Sequence, residues 1–425
     1  MNREPIKFFE YRQISKLDLK TKYKMKDRDF RQINRLNRKL QCNLINVFED
    51  RLKATSYVGV FTIGNNTIQI LPKISEDNEE KKIIENLLFM LSYTKKLKIK
   101  ETEISKLCSR KENQFFEILI YLFAKNLNDT IKKNFFKNYS FFVDDLSFIR
   151  GKILFNENIV KNFVRKDRIH CKFSEFTENI LINQIFKYTI FLLLRITSDR
   201  ENYRLLKQLE LIFSDVTLKT ITVTDFCKIH LNRLNSYLMP LIQLSKLFIL
   251  QSAIQLFQNK LETFSFVFKM EVLFEEFIAE FIKKNKSQLF ASGTTIKSQD
   301  TQIKLVDSPE KLFTLKPDIF IYSGDKKLII DTKYKILNPD DPRYGVSQAD
   351  MYQMFAYCVK YSCKHSVLLY PEHLSSKVPP VPYSIKFEEK EVKVHIKTVP
   401  LDIDLRRDKK LLIEKLKPIC NLIQK

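Results

Sequence analysis

Glycine is scarce in this chain, with 6 in 425 residues. Phosphate-cradling loops depend on glycine for tight turns and close backbone approach. Neither G-x-G-x-x-G nor G-x-x-x-x-G-K-[ST] occurs, so a chain that binds a nucleotide by itself is not expected. The seven cysteines (Cys42, Cys108, Cys171, Cys227, Cys358, Cys363, Cys420) are scattered, and none forms a C-x-x-C pair. No histidine cluster stands at zinc-ligand spacing either. A structural zinc site and a disulfide framework are thereby excluded, leaving reduced, mostly buried thiols in a cytoplasmic protein. A signal peptide is lacking, because the first residues are charged at once. The apolar stretch at residues 180–196 is interrupted by Asn183, Gln184, Lys187 and Arg195. It reads as a buried helix rather than a membrane span.

Positive charge, by contrast, is plentiful. Lys and Arg number 73 against 50 Asp and Glu, a formal net charge of +23. Codon bias toward lysine accounts for part of this, but would not leave the acids so far behind. An excess of this size repels itself in a compact chain, and a polyanion is the usual partner that relieves it. Residues 1–40 alone hold 13 basic and 5 acidic side chains. The length exceeds one ordinary core, while 44% hydrophobic and 29% charged residues, with 35 Phe, suit globular domains.

Three segments follow from the patterning, giving a multi-domain α+β chain. Residues 1–77 form a β-containing module: two β-rich runs, 58–63 and 67–71, flank Gly64-Asn65-Asn66, a hairpin turn, and Pro72 ends the second strand. Residues 78–262 are mainly helical, with apolar residues at helical spacing in 115–127, 182–194 and 241–257. A turn at Arg150-Gly151 and the basic stretch 161–172 fall within this region. Residues 263–425 mix helices (271–284, 348–361, 406–423) with strands (314–322, 327–334, 366–370, 384–387, 392–398), the mark of an α/β domain.

The chemistry is concentrated in that last segment. Pro317-Asp318 opens one apolar strand, and Leu328-Ile329-Ile330 leads into Asp331-Thr332-Lys333 at the end of the next. Side chains alternate along a strand, so Asp331 and Lys333 share a face and Thr332 points away. Pairing through the short turn Ser323-Gly324-Asp325 would bring Asp318 to that face. Two carboxylates and a backbone carbonyl can hold Mg²⁺, or Mn²⁺ in its place. The metal would activate a water and polarise a phosphate, with the Lys333 ammonium offsetting the developing charge. Acid-x-Lys triplets also occur at Glu388-x-Lys390 and Glu391-x-Lys393, but in charged surroundings that suit an exposed face. Asp331 instead follows three aliphatics, where a carboxylate needs a reason to exist. On the helix at 348–361, Met351, Met354, Phe355 and Cys358 form a core face, and Asp350, Gln353 and Tyr357 line the neighbouring one. Upstream, Glu275 or Glu276 is placed to add a metal ligand, with Glu275 the choice.

Pro317-Asp318 with Asp331-x-Lys333 resembles the PD-(D/E)xK nuclease motif, and Gln353 to Tyr357 resembles the Q-x-x-x-Y element of its RecB-like branch. Over residues 55–360 the order of short segments resembles something narrower. Val58-Gly59-Val60, Ile70-Leu71-Pro72-Lys73-Ile74, Met90-Leu91-Ser92-Tyr93, Arg150-Gly151-Lys152-Ile153, Leu273-Phe274-Glu275, Asp331-Thr332-Lys333-Tyr334-Lys335 and Asp350-Met351-Tyr352-Gln353-Met354 together resemble the McrC family, the nuclease subunits of McrBC-type and LlaJI-type restriction systems. The resemblance implies an obligate complex with a hexameric McrB-like AAA+ GTPase. The N-terminal part would dock in the ring and stimulate GTP hydrolysis, and a C-terminal PD-(D/E)xK domain would cut double-stranded DNA. Methylcytosine recognition would belong to the partner. It further implies that Asp318, Asp331 and Lys333 are catalytic and that Glu275, Gln353 and Tyr357 support them. Two rival readings are a non-catalytic activator of an AAA+ ring and a stand-alone RecB-like repair nuclease.

Overall fold

The two β-rich runs near the N-terminus do pair. In the computed structural model the strands Tyr57–Ile63 and Asn66–Leu71 are antiparallel, with Ile63 opposite Asn66. Pro72, which has no N–H to donate, follows the second strand directly. The structure describes residues 5–63, 66–73, 79–94, 104, 108, 115–233, 235–257 without 252–254, 260–308, 310, 312–372, 378–387 and 390–424. The turn residues Gly64 and Asn65, along with Ile74 and Glu388, lie outside these.

The chain divides into two units. One comprises residues 3–115 and 265–425, the other residues 116–264. The first 77 residues therefore share a unit with the C-terminal segment instead of forming their own. Buried polar contacts fasten them there. The Asn86 side chain, on the helix Glu80–Tyr93, donates to the carbonyls of Leu401 (2.9 Å) and Ile403 (2.6 Å) and accepts from the Leu405 N–H (3.1 Å). Such a side chain satisfies backbone groups of a segment that forms no helix or strand there. Glu10, just past the strand Ile6–Phe9, accepts from the Tyr334 hydroxyl at 2.9 Å.

A six-stranded sheet dominates the C-terminal part of this unit. Its order is Thr295–Ser298, Ile319–Ser323, Lys326–Thr332, His365–Glu372, Lys390–Pro400, Tyr383–Phe387. Ile319–Ser323 and Lys326–Thr332 form a tight antiparallel hairpin, and Lys326–Thr332 runs parallel to His365–Glu372. That parallel step requires a crossover, which the helix Gln348–Tyr361 supplies. The apolar run Leu328-Ile329-Ile330 is fully buried, as befits a central strand covered on both faces. The single strand expected at 314–322 is instead two, Leu312–Thr314 and Ile319–Ser323. Pro317 breaks the run, because it has no ladder donor. The helix Met270–Lys284 buries Leu273, Phe274, Phe277, Ile278 and Phe281. Phe277 and Phe281 pack with Phe89 and Tyr93 of the helix Glu80–Tyr93, at ring separations of 5.3 to 6.0 Å. Each such ring contributes roughly 1.5–3 kcal/mol by burial, which pins the polar side of that helix in place.

In the second unit the helices Leu181–Leu194 and, beyond the unexpected Arg200–Ile212, Met239–Gln251 appear close to where periodicity puts them. The last is shorter than the expected 241–257, because residues 255–257 are extended. A mainly helical reading of the middle segment overlooks a three-stranded sheet, Asn138–Leu146, Ile169–Thr177 and Lys152–Ile153, with the second in the centre. Tyr139, Phe141 and Val143 of this sheet are exposed. Apolar residues do alternate in it, at Tyr139, Phe141 and Val143 and at Ile169, Cys171 and Phe173, but each run is short and sits among the turn at 150–151 and the basic stretch 161–172. Gly151 makes the turn with φ +72°, and a Cβ there would come within 2.5 Å of the Lys172 carbonyl. Buried Glu117 accepts from Thr197 Oγ1, Ser198 N and Asn202 Nδ2 at 2.7 Å each. Five of the seven cysteines are buried, and all seven are free thiols. Among the described residues no helix is long and apolar enough to cross a membrane.

Candidate functional site

The hairpin decides where the two aspartates meet. Its last antiparallel pair is Ile319 opposite Ile330. One step further, the same register sets Asp318 opposite Asp331, and directly opposed residues present their side chains on one face. Asp331 is 2% exposed. Asp318 lies just outside the strand, and its Oδ2 accepts both the Thr332 N–H and the Thr332 hydroxyl at 2.7 Å. Thr332, which alternation alone dismissed, thus fixes the Asp318 carboxylate over the strand end.

Burial and mutual repulsion strain the protonation of this pair. Burial first, then the charges of Asp331 and Glu275, push Asp318 up to about 7 from an ordinary 3.8, against the Thr332 bonds that pull it down. Asp331 is also raised, by burial above all, although Lys333 opposes the shift. Two buried carboxylates set opposite each other call for positive charge nearby, and Asp331 already has one cation beside it. Lys333 Nζ lies 2.8 Å from Asp331 Oδ2 and 3.3 Å from Asp350 Oδ1. Burial would lower the Lys333 ammonium, but the two aspartates outweigh it and hold it above the usual lysine value.

The helix Gln348–Tyr361 locks that ammonium from the other side. Lys333 Nζ donates to Gln353 Oε1 (2.9 Å), Gln353 Nε2 to the Tyr357 hydroxyl (2.9 Å), and the Tyr357 hydroxyl to the Lys316 carbonyl (3.0 Å). This chain of bonds runs from the lysine back to the residue before Pro317-Asp318. It closes a ring of contacts around both carboxylates. Tyr357 is buried at 3% exposure and belongs to the core as much as to the site. The core face therefore includes Tyr357 and Tyr361, while Met351 and Phe355 are only partly buried.

Glu275 is brought near but held apart. Its Oε1 accepts from Gln299 Nε2 at 2.5 Å. Glu275, Glu276 and Glu280 all line a pocket of about 220 Å³ with Thr94, Ser298, Gln299 and Asp318, so both glutamates of the expected alternative face it. Among the described residues no three His, Cys, Asp or Glu side chains are gathered tightly enough to form a ready metal cage. A magnesium ion does not need one, since it binds through one or two carboxylates and keeps several waters. Asp318 and Asp331 fit that requirement, with Glu275 adding negative field. The remaining decoy behaves as a surface pair: Glu391 accepts from Ser384 Oγ (2.6 Å) and lies 3.4 Å from Lys393.

Asp350, which the spacing puts on one helical face with Gln353 and Tyr357, joins them at the site. It is 7% exposed and sits where Ser347 caps the helix. The Ser347 hydroxyl, Lys333 and Lys335 outweigh the effect of its burial and keep its carboxyl below the usual range.

This arrangement of opposed aspartates, bridging lysine and Gln-Tyr clamp lies within residues 52–371, which match the family model of the McrBC 5-methylcytosine restriction system component. The chain belongs to that family. Its fold agrees. A chain in the refined half-complex from the tetradecameric assembly of Thermococcus gammatolerans McrB AAA+ hexamers with bound McrC is 21% identical. That match covers 96% of this chain and 99% of the other, with a TM-score of 0.67. A chain in the cryo-EM structure of the Thermococcus gammatolerans McrBC complex is 25% identical, over 66% of this chain and 88% of the other, with a TM-score of 0.50. No curated protein sequence matches. Every site residue named above is inside the stretch matched to the McrBC family, whereas Glu10 precedes it.

Proposed function

We propose that this McrBC-family chain is an endonuclease subunit that hydrolyses DNA phosphodiester bonds with Mg²⁺ and stimulates an McrB-like AAA+ GTPase. The carrying observation is the pair Asp318 and Asp331, buried and opposed across the hairpin, with the Lys333 ammonium paired to Asp331. A structural ion pair needs one acid and one base. Here three carboxylates, Asp318, Asp331 and Asp350, outnumber the two ammoniums beside them, Lys333 and Lys335, an arrangement whose cost makes sense where a divalent cation is to be bound. Asp318 and Asp331 would hold the ion, and Mn²⁺ would serve in its place. When bound, it would supply an activated water and neutralise charge on the scissile phosphate. Lys333 places its ammonium beside the same carboxylates and offsets the charge that develops on the phosphate. Gln353 and Tyr357 fix that ammonium. The net charge of +23 favours a DNA substrate, and methylcytosine recognition is assigned to the partner. The intact Asp-Asp-Lys set favours catalysis over a purely activating role.

For docking on the AAA+ ring, residues 116–264 are better suited than residues 1–77. The large apolar side chains exposed in the first 77 residues are Tyr11, Leu17 and Phe48. The sheet and helix between 138 and 177 expose Phe141, Phe155, Val160, Phe163 and Val164, each by 68% or more. A patch of this kind marks a protein interface.

The test mixes the chain with an McrB-like AAA+ partner, GTP and methylated plasmid. Cleavage that needs both proteins and Mg²⁺ or Mn²⁺, and that falls at least about a thousandfold in Lys333→Ala, supports the reading. Undiminished cutting by that variant, or cutting in excess chelator, refutes it.

A further inference from the structure

Lys333 has two carboxylate partners, and only one of them can belong to a metal site. Its ammonium stands 2.8 Å from Asp331, where a divalent cation would compete for the same oxygen, and 3.3 Å from Asp350. Asp350 faces Lys333 and Lys335, the latter at 3.4 Å, and its backbone N–H is held by Ser347. It comes from a different element, the first turn of the helix Gln348–Tyr361, where the Ser347 cap and not the hairpin fixes its backbone.

Resting on the nuclease reading above, we propose that Asp350 is a positioning residue: it tethers the Lys333 ammonium when a divalent cation takes over Asp331. In the metal-free chain the ammonium serves as the counter-charge of Asp331. A cation arriving there repels the ammonium and takes over its oxygen. Asp350, together with Gln353 Oε1 at 2.9 Å, gives the displaced ammonium a charged partner within the same pocket. Metal and ammonium then occupy adjoining carboxylates instead of competing for one. Without the Asp350 charge, Asp331 is the one carboxylate among the described residues within ion-pair reach of the ammonium, and metal binding must first break that pair.

A thermodynamic cycle on the full-length chain tests this. Mn²⁺ binding is measured by the loss of free-ion paramagnetic resonance signal for the wild type, Asp350→Asn, Lys333→Met and the double variant, with Asp331→Asn as the site control. Asp350→Asn is expected to weaken Mn²⁺ binding about tenfold, the effect of one ion pair left in competition. In the Lys333→Met background the same substitution should change binding less than about twofold, because no ammonium remains to be tethered. Circular dichroism of all variants checks that each is folded. Equal weakening in both backgrounds would overturn the tether and mark Asp350 as a plain contributor of charge. No weakening in either would overturn it as well. A wild type whose Mn²⁺ binding is untouched by Asp331→Asn would refute the metal reading itself, and the tether with it.

Discussion

Glu10 gives a sharp quantitative test of how the N-terminal strand is joined to the site-bearing sheet. It is wholly buried and accepts from the Tyr334 hydroxyl and from the Lys73 N–H, at 2.9 and 3.1 Å. Burial above all raises its carboxyl from 4.5 to about 8. The unfolded chain sheds this proton near 4.5 and the folded chain near 8, so between those values the folded state binds more protons. Its stability must then fall as pH rises. The contribution is fully present below 4.5 and is lost by the time pH passes 8. A gap of about 3.5 pH units at roughly 1.4 kcal/mol each sets a ceiling of ~5 kcal/mol. Relaxation around the ionised carboxylate reduces this, to about half. Glu10→Gln keeps the shape of the neutral form and removes the titration. Urea unfolding of both proteins, followed by circular dichroism from pH 5 to 9, should show Glu10→Gln gaining at least about 2 kcal/mol on the wild type across that range. A difference that stays flat with pH, or shrinks as pH rises, would refute the argument.

Other outcomes follow from the same contacts. Tyr357→Phe removes the hydroxyl between Gln353 and the Lys316 carbonyl. It should cost about 1 kcal/mol of stability and lower cleavage about tenfold with little change in DNA affinity, read by kinetics and gel shift. Gly151→Ala forces a Cβ to within 2.5 Å of the Lys172 carbonyl at a positive φ. A loss of about 2–4 kcal/mol is expected in thermal unfolding. Val160 and Phe163 are 81% and 77% exposed, so Val160→Asp with Phe163→Asp should leave the melting curve nearly unchanged while weakening AAA+ partner binding at least about tenfold in calorimetry.

Much of the site could be read before any coordinates. The hairpin around Ser323-Gly324-Asp325 and the Gln348–Tyr361 helix lie where turn chemistry and periodicity put them. The burial of Asp331 follows from the aliphatic run before it. What escaped were contacts that no local pattern encodes. Thr332 reaches Asp318 because Asp318 lies past the strand end, where strict alternation no longer governs. Spacing puts Asp350 on one helical face with Gln353 and Tyr357 but does not reveal its pairing with Lys333, 17 residues upstream on another element. The sharing of one unit by residues 3–115 and 265–425 was hidden for the same reason. It depends on long-range bonds such as that of Asn86 to Leu401, 315 residues apart. The sheet at 138–177 carries its alternation in short runs, Tyr139 to Val143 and Ile169 to Phe173, which the surrounding helical periodicity and basic stretch obscured.

The central claim is that Asp331 serves DNA hydrolysis and not the assembly of the complex. The most direct measurement is Asp331→Ala in complex with its AAA+ partner, assayed in parallel for GTP turnover and for cleavage of methylated DNA. The account predicts GTPase stimulation within about twofold of wild type, with cleavage lost by at least about a thousandfold. Retained cleavage, or joint loss of both activities from a folded, partner-bound variant, would contradict it.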